Sequence, residues 1–140
     1  MQTLILDERT LSELDHVRLA RLTRHDAAVA TGAESARLEA LLDDAEVVSP
    51  RAIPPDVVTM CSQVLLADID SGRRSTVTLC YPSDADPAIG FVSVLSPIGA
   101  ALLGVRVGTI ARWRTPTGQE AAAEVVALLS QPEASGDYTR

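Results

Sequence analysis

The fold is read outward from Ser93-Val94-Leu95-Ser96-Pro97-Ile98-Gly99-Ala100-Ala101-Leu102-Leu103-Gly104-Val105-Arg106-Val107-Gly108. Residues 91–95 have the composition of a short strand. Serine is a favoured N-cap and proline fits the first helical position, so Ser96-Pro97 opens a short helix over residues 98–103. Gly104 closes it, because glycine enters the left-handed conformation at no steric cost. Gly99, Gly104 and Gly108 have the wrong spacing for a dinucleotide fingerprint, and no strand here feeds a long helix. Ser96 lacks the Gly-x-Ser-x-Gly surround of an esterase nucleophile and reads as a cap.

On both sides of this block the signals are those of strands. Residues 109–115 form one, and Pro116-Thr117-Gly118 is a turn. Residues 120–129 read two ways. Their alanine and glutamate favour a helix, while the preceding strand and tight turn favour a last hairpin strand. Upstream, residues 57–69 are rich in β-branched and aliphatic side chains, and Asp70-Ser71-Gly72 is a turn. Residues 75–81 alternate, with Val77, Leu79 and Tyr81 on one face. The two runs make a hairpin. Residues 82–90 are a polar loop.

The character of the chain changes near residue 50. Through Asp56 it holds eleven acidic residues and six arginines; beyond that it holds eight and six. Asp7 can cap a first helix over residues 7–24, with Glu8 in its first turn. Leu11, Leu14, Val17 and Leu22 roughly share one face. Thr31 and Glu34 form a capping box for a second helix reaching about residue 47. Its apolar positions Leu38, Leu41, Leu42, Ala45 and Val48 have helical spacing. Helices joined this closely fold back as an antiparallel hairpin. Ser49-Pro50 stops the second helix, and Pro50, Pro54 and Pro55 stiffen a linker.

The 140 residues make one domain with a small appendage. Aromatics are 3%, so the core is aliphatic. The net charge of −7 argues against a binder of free nucleic acid that works by counterion release. All twelve basic residues are arginine. Without lysine there is no phosphate-loop lysine, Schiff base or Ser-Lys dyad. Cys61 and Cys80 lack zinc spacing and sit on neighbouring expected strands, where buried structural thiols are the expectation. His16 and His25 lie nine apart with no further ligand, so no metal and no cofactor is expected; both read as solvated helix residues. Asp68 to Gly72 fails as a calcium loop, since its twelfth position is Leu79. Trp113 alternates with Arg112 and Arg114, as in a strand with tryptophan inward and arginine outward. No signal peptide or membrane span is readable, and cytoplasmic location is expected. The fold class is α+β, with no visible catalytic machinery: a binding or regulatory module, not an enzyme.

The chain resembles the regulator of nucleoside diphosphate kinase family, a branch of the GreA/GreB transcription-elongation-factor superfamily. The matching stretches are Ser49-Pro50, Asp56-Val57-Val58-Thr59-Met60, Leu79-Cys80-Tyr81-Pro82, the whole Ser93-to-Gly108 block and Gln131-Pro132-Glu133-Ala134-Ser135-Gly136-Asp137-Tyr138. Order and spacing agree from about residue 31 to 138. The resemblance implies an antiparallel two-helix coiled-coil finger (residues 1–49), a proline-rich linker (50–56) and an FKBP-like antiparallel β domain with one short helix (57–140). It makes residues 120–129 a strand, a tertiary override of propensity.

It also implies a partner, bacterial RNA polymerase, and a place, the rim of its secondary channel. That rim is positively charged in part, which suits an acidic factor. In Gre-like factors the segment equivalent to Leu95-Ser96-Pro97 contacts the rim. Ser96 and Pro97 match; Leu95 stands where one branch has aspartate, and an apolar contact through Leu95 and Ile98 can take its place. DNA is then met only as part of the transcription complex. Cleavage-stimulating relatives carry an acidic pair three apart at the finger tip, which helps hold a catalytic magnesium in the polymerase. Here the tip, Arg24-His25-Asp26, offers Asp26 alone, on a first helix of about 18 residues, or ~27 Å. The implied action is occupation of the channel mouth in competition with Gre-type factors, without transcript cleavage. Any effect on nucleoside diphosphate kinase level is indirect, and a monomer is expected. The alternative is an FKBP-like interaction module that does not bind polymerase. Prolyl isomerase activity would need an aromatic-lined pocket that four scattered aromatics do not build.

Overall fold

The computed structural model describes residues 9–25, 32–115 and 117–136. The first described elements are strand β1 (Thr10–Ser12), helices α1 (Glu13–His25) and α2 (Gly32–Asp44), and strand β2 (Glu46–Val48). A 3-10 turn over Pro50–Ala52 follows. Then come β3 (Gln63–Asp68), β4 (Arg74–Cys80), β5 (Phe91–Ser93), helix α3 (Pro97–Leu102), β6 (Ile110–Arg114) and β7 (Glu120–Ser130). The architecture is α+β.

Helix α1 starts later than expected. Thr10 to Ser12 are extended, and the Ser12 hydroxyl accepts from the Asp15 backbone N–H at 3.0 Å. Ser12 is therefore the cap for the described start of the helix, and Asp7 lies outside the described residues. Leu11 belongs to β1 and is fully buried there. Helix α2 likewise ends early, and Val48 is on β2. Both shortenings have one cause. β1 and β2 pair in parallel, Thr10 opposite Glu46 and Ser12 opposite Val48, and this ladder takes the backbone groups that further helix would have used. The Thr10 N–H also reaches the Gly104 carbonyl at 3.0 Å, which ties this clasp to the loop after α3. Between β1 and β2 the helices pack through Leu19, Leu38 and Leu42. His16 Nε2 lies 3.1 Å from the Leu42 carbonyl, so the start of α1 meets the end of α2 and the pair runs antiparallel. His16 is half-buried between the helices rather than solvated. The capping residue Thr31 lies outside the described residues.

The main sheet has the order β5-β4-β3-β7-β6. Its pairs are antiparallel except one: β5 runs parallel to β4. The segment between them makes two 3-10 turns, over Pro82–Asp84 and Pro87–Ile89, which return the chain to the end where β4 began. Gly90 completes the return at φ +87°, and a Cβ there would press on the Thr76 carbonyl. Residues 120–130 are a strand, as the resemblance implied, with Ala123 and Val125 buried. Two register shifts against β3 mark where this long strand bends.

The core is aliphatic. Val64, Leu66, Val77 and Leu79 of the sheet meet Leu102, Leu103 and Val105, and the cluster continues into Leu11, Leu19, Leu38 and Leu42. Cys80 is buried, as expected of a structural thiol, whereas Cys61 is half-buried in a turn at φ +68°. Both are free thiols.

Candidate docking site and the base of the finger

Ser96 has extended dihedrals, and its hydroxyl accepts from the Gly99 N–H at 3.1 Å while donating to the Ser93 carbonyl at 2.6 Å. Pro97 supplies the first helical position. The Ser93 hydroxyl accepts from the Leu95 N–H at 3.0 Å, so the turn is bonded on both sides of the cap. Gly99 lies so close to the Ser93 carbonyl that a Cβ would collide with it. After α3, Gly104 adopts φ +79° and its N–H donates to the Val58 carbonyl at 2.7 Å. Only glycine allows this approach of three backbone segments.

Leu95, Ser96, Pro97 and Ile98 are thus held on one rigid turn. They do not share one surface. Leu95 is 3% exposed and belongs to the core, whereas Ser96, Pro97 and Ile98 are partly exposed. A partner touching this turn meets the latter three, with Leu95 beneath them as support. Two arginines tie the N-terminal part of the chain to α3 and the turn before it. Arg9 donates to the carbonyls of Ala100 at 2.8 Å and Leu103 at 2.9 Å. Arg37 of α2 reaches the Leu95 carbonyl at 3.3 Å.

Of the expected finger tip, Arg24 and His25 are the last two residues of α1, and Asp26 lies outside the described residues.

A polar cluster at the base of α1 was missed by the sequence reading. Asp15 is fully buried, and its Oδ2 accepts from the Met60 N–H at 3.2 Å. Its other carboxyl oxygen has no hydrogen-bond partner among the described residues. Burial pushes the carboxyl up to about 7; Glu133 pushes the same way, while the Met60 amide and the Arg18 charge oppose. Alongside, the Thr59 hydroxyl donates to Glu133 Oε1 at 2.8 Å, and the Ser62 hydroxyl accepts from the Thr59 N–H at 2.9 Å. The Gln131 amide donates to the carbonyls of Pro54 at 2.9 Å and Val57 at 2.7 Å. The Tyr81 hydroxyl is pushed up to about 12, by burial first and then by Asp15. This cluster fixes the root of α1 to the segment entering β3. The signal that could have found it is Ser12-Glu13-Leu14-Asp15, a serine three residues before an acid. Among the described residues no group of His, Cys, Asp and Glu is placed to hold a metal ion, and no helix is long and apolar enough to cross a membrane.

A family model described as transcription elongation factor, GreA/GreB, C-terminal, matches residues 53–130. The regulator of nucleoside diphosphate kinase of Escherichia coli K12 is 45% identical over 101 residues, covering 72% of this chain and 74% of that protein. Transcription elongation factor GreA of Chlorobium phaeobacteroides is 34% identical over 109 residues, covering 74% of this chain and 69% of that one. Among solved structures, a prokaryotic transcription elongation factor GreA/GreB from Nitrosomonas europaea aligns at TM-score 0.73 and 36% identity, over 88% of this chain and 98% of that one.

Proposed function

Because this chain belongs to the GreA/GreB transcription elongation factor family, close to its regulator of nucleoside diphosphate kinase branch, we propose that it binds bacterial RNA polymerase at the secondary channel and competes there with Gre-type factors. The observation that carries the reading is the turn at Ser96, Pro97 and Ile98: rigid, partly exposed, and supported from below by buried Leu95. In this reading residues 57–140 are an FKBP-like docking body, residues 50–56 a linker, and residues 1–49 a coiled-coil finger that enters the channel mouth.

The finger does not stimulate transcript cleavage. The described part of α1 has 13 residues, about 20 Å at ~1.5 Å each. Its tip, Arg24-His25-Asp26, carries one acid where metal delivery needs two. The factor acts as a monomer that occupies the entrance, and nucleoside diphosphate kinase levels change only through gene expression.

The test is binding to core RNA polymerase with and without a Gre factor. Pro97→Asp serves as the docking variant, since aspartate suits the first turn of a helix and leaves the fold intact. Saturable binding that a Gre factor displaces and Pro97→Asp weakens at least tenfold is the expected result. No binding at micromolar concentration overturns the reading in favour of an interaction module with another partner. Strong cleavage in a backtracked complex overturns the non-cleaving role.

A further inference from the structure

The chain is acidic overall, yet one cleft is lined with arginine. Its volume is about 430 Å³, and it runs between α2, α3 and β6. Four arginines and one aspartate line it, in a protein of net charge −7. Arg37 stands on the α2 wall, Pro97 and Ala100 on α3, and Arg112, Trp113 and Arg114 on β6. Arg112 is exposed and no acidic side chain among the described residues pairs with it, whereas Arg114 is held by Glu120 at 3.5 Å and by the Gly118 carbonyl at 3.1 Å, both at the exposed end of the strand.

The β6 wall is a sheet edge. The Thr109 carbonyl accepts from the Val125 N–H at 2.9 Å, and the Thr115 N–H donates to the Gln119 carbonyl at 2.8 Å. Odd-numbered positions therefore turn their peptide groups toward β7. The alternate positions, Ile110, Arg112 and Arg114, turn theirs outward. No strand lies on that side among the described residues. A row of unpaired N–H and C=O groups is a template for another strand.

We propose that this cleft binds an extended acidic segment of a partner polypeptide, added as a strand along the outer edge of β6. The side chains set the pattern of the segment. Arg112 and Arg114 are two apart on one face, so carboxylates two apart on the added strand fall beside them, one on Arg112 and the other exchanging with exposed Glu120 at Arg114. Arg37 adds positive charge on the opposite wall. The intervening residues turn toward Pro97 and Ala100, which calls for apolar side chains there. A second copy of this chain is disfavoured, because β6 pairing with β6 sets arginine against arginine. Nucleic acid is disfavoured by the net charge. The proposal does not depend on the polymerase reading, and it is tested on the protein alone.

The probe is a fluorescein-labelled hexapeptide of alternating valine and glutamate, followed by anisotropy at low salt. Saturable binding is expected, with at least a tenfold loss for Arg112→Glu. Arg112 is exposed on an edge strand, and unchanged circular dichroism confirms that the variant folds. Two N-methylated peptides separate backbone pairing from charge attraction. One carries the methyl groups on the valines, the other on the glutamates. Only one alternating set of amides faces β6, so one methylated peptide loses binding at least tenfold and the other keeps it. Equal behaviour of both methylated peptides overturns the proposal, as does equal binding of a valine–lysine peptide or no binding at millimolar concentration. A concentration-dependent dimer in sedimentation that Arg112→Glu dissociates also overturns it, and assigns the edge to a second copy.

Discussion

Burying a carboxyl group costs free energy unless hydrogen bonds or cations replace the lost water, and among the described residues the Asp15 carboxyl accepts a single hydrogen bond, from the Met60 amide. Its ordinary value of 3.8 rises to about 7. The sign of the consequence follows. Below about pH 4 the group is protonated folded or unfolded. Between there and pH 7 the unfolded chain releases the proton while the folded chain keeps it. Stability therefore falls as pH rises through this window and levels off above it. Asp15→Asn keeps an acceptor for Met60 and does not titrate. From pH 5 to pH 8, urea unfolding of the native protein loses about 2 kcal/mol relative to Asp15→Asn. Parallel pH profiles for the two proteins would remove Asp15 from this role. Gly99 shows the opposite kind of sensitivity, steric rather than electrostatic. Alanine at this position sets a methyl group against the Ser93 carbonyl, and backbone cannot swing aside. Gly99→Ala lowers unfolding stability by about 2 kcal/mol or more; an unchanged denaturation midpoint would contradict that packing. Neither residue announces its burial in the sequence, although Ser12, three residues before Asp15, marks a helix start there. An acid in the first turn of a helix reads as a partner for the helix dipole, and a glycine in a short helix reads as permissive.

At the scale of single elements, α3 was legible because its signals are local. The cap, the proline and the closing glycine are all within nine residues, and they agree. Ser96→Ala removes a side chain that both accepts from Gly99 and donates to Ser93. It costs about 1 kcal/mol in chemical denaturation, and it weakens any partner contact made through the turn. Full stability in that variant would mean that the cap is dispensable. Elements decided by distant partners were harder to read. The first helix begins at Glu13 because β1 pairs with β2, more than thirty residues further along the chain. The direction of β5 was hidden because alternation looks the same in parallel and antiparallel strands. Residues 120–130 needed family resemblance, since their alanines favour helix while their position between β3 and β6 makes them a strand. The turn into α3 was legible as local structure, but not which of its residues reach the surface. Leu95 looked available and is covered.

Across the whole molecule, the apolar cluster does not stop at the linker. Leu19 and Leu38 of the helices share it with Leu79 and Leu103 of the sheet-bearing part. Arg9, Arg37 and Asp15 bond across the same boundary. The molecule should therefore unfold as one unit. Urea transitions followed by far-ultraviolet circular dichroism and by Trp113 fluorescence should coincide; an earlier loss of helical signal would show α1 and α2 melting separately. The clasp of β1 and β2 has another consequence. The two helices leave and re-enter the rest of the protein at adjacent points, so they form an insertion whose ends are already joined. Lengthening such an insertion changes its closure cost only logarithmically, by about 0.6 kcal/mol per doubling. Length can then evolve, or be engineered by adding whole helical turns, while the α3 turn and the main sheet stay as they are.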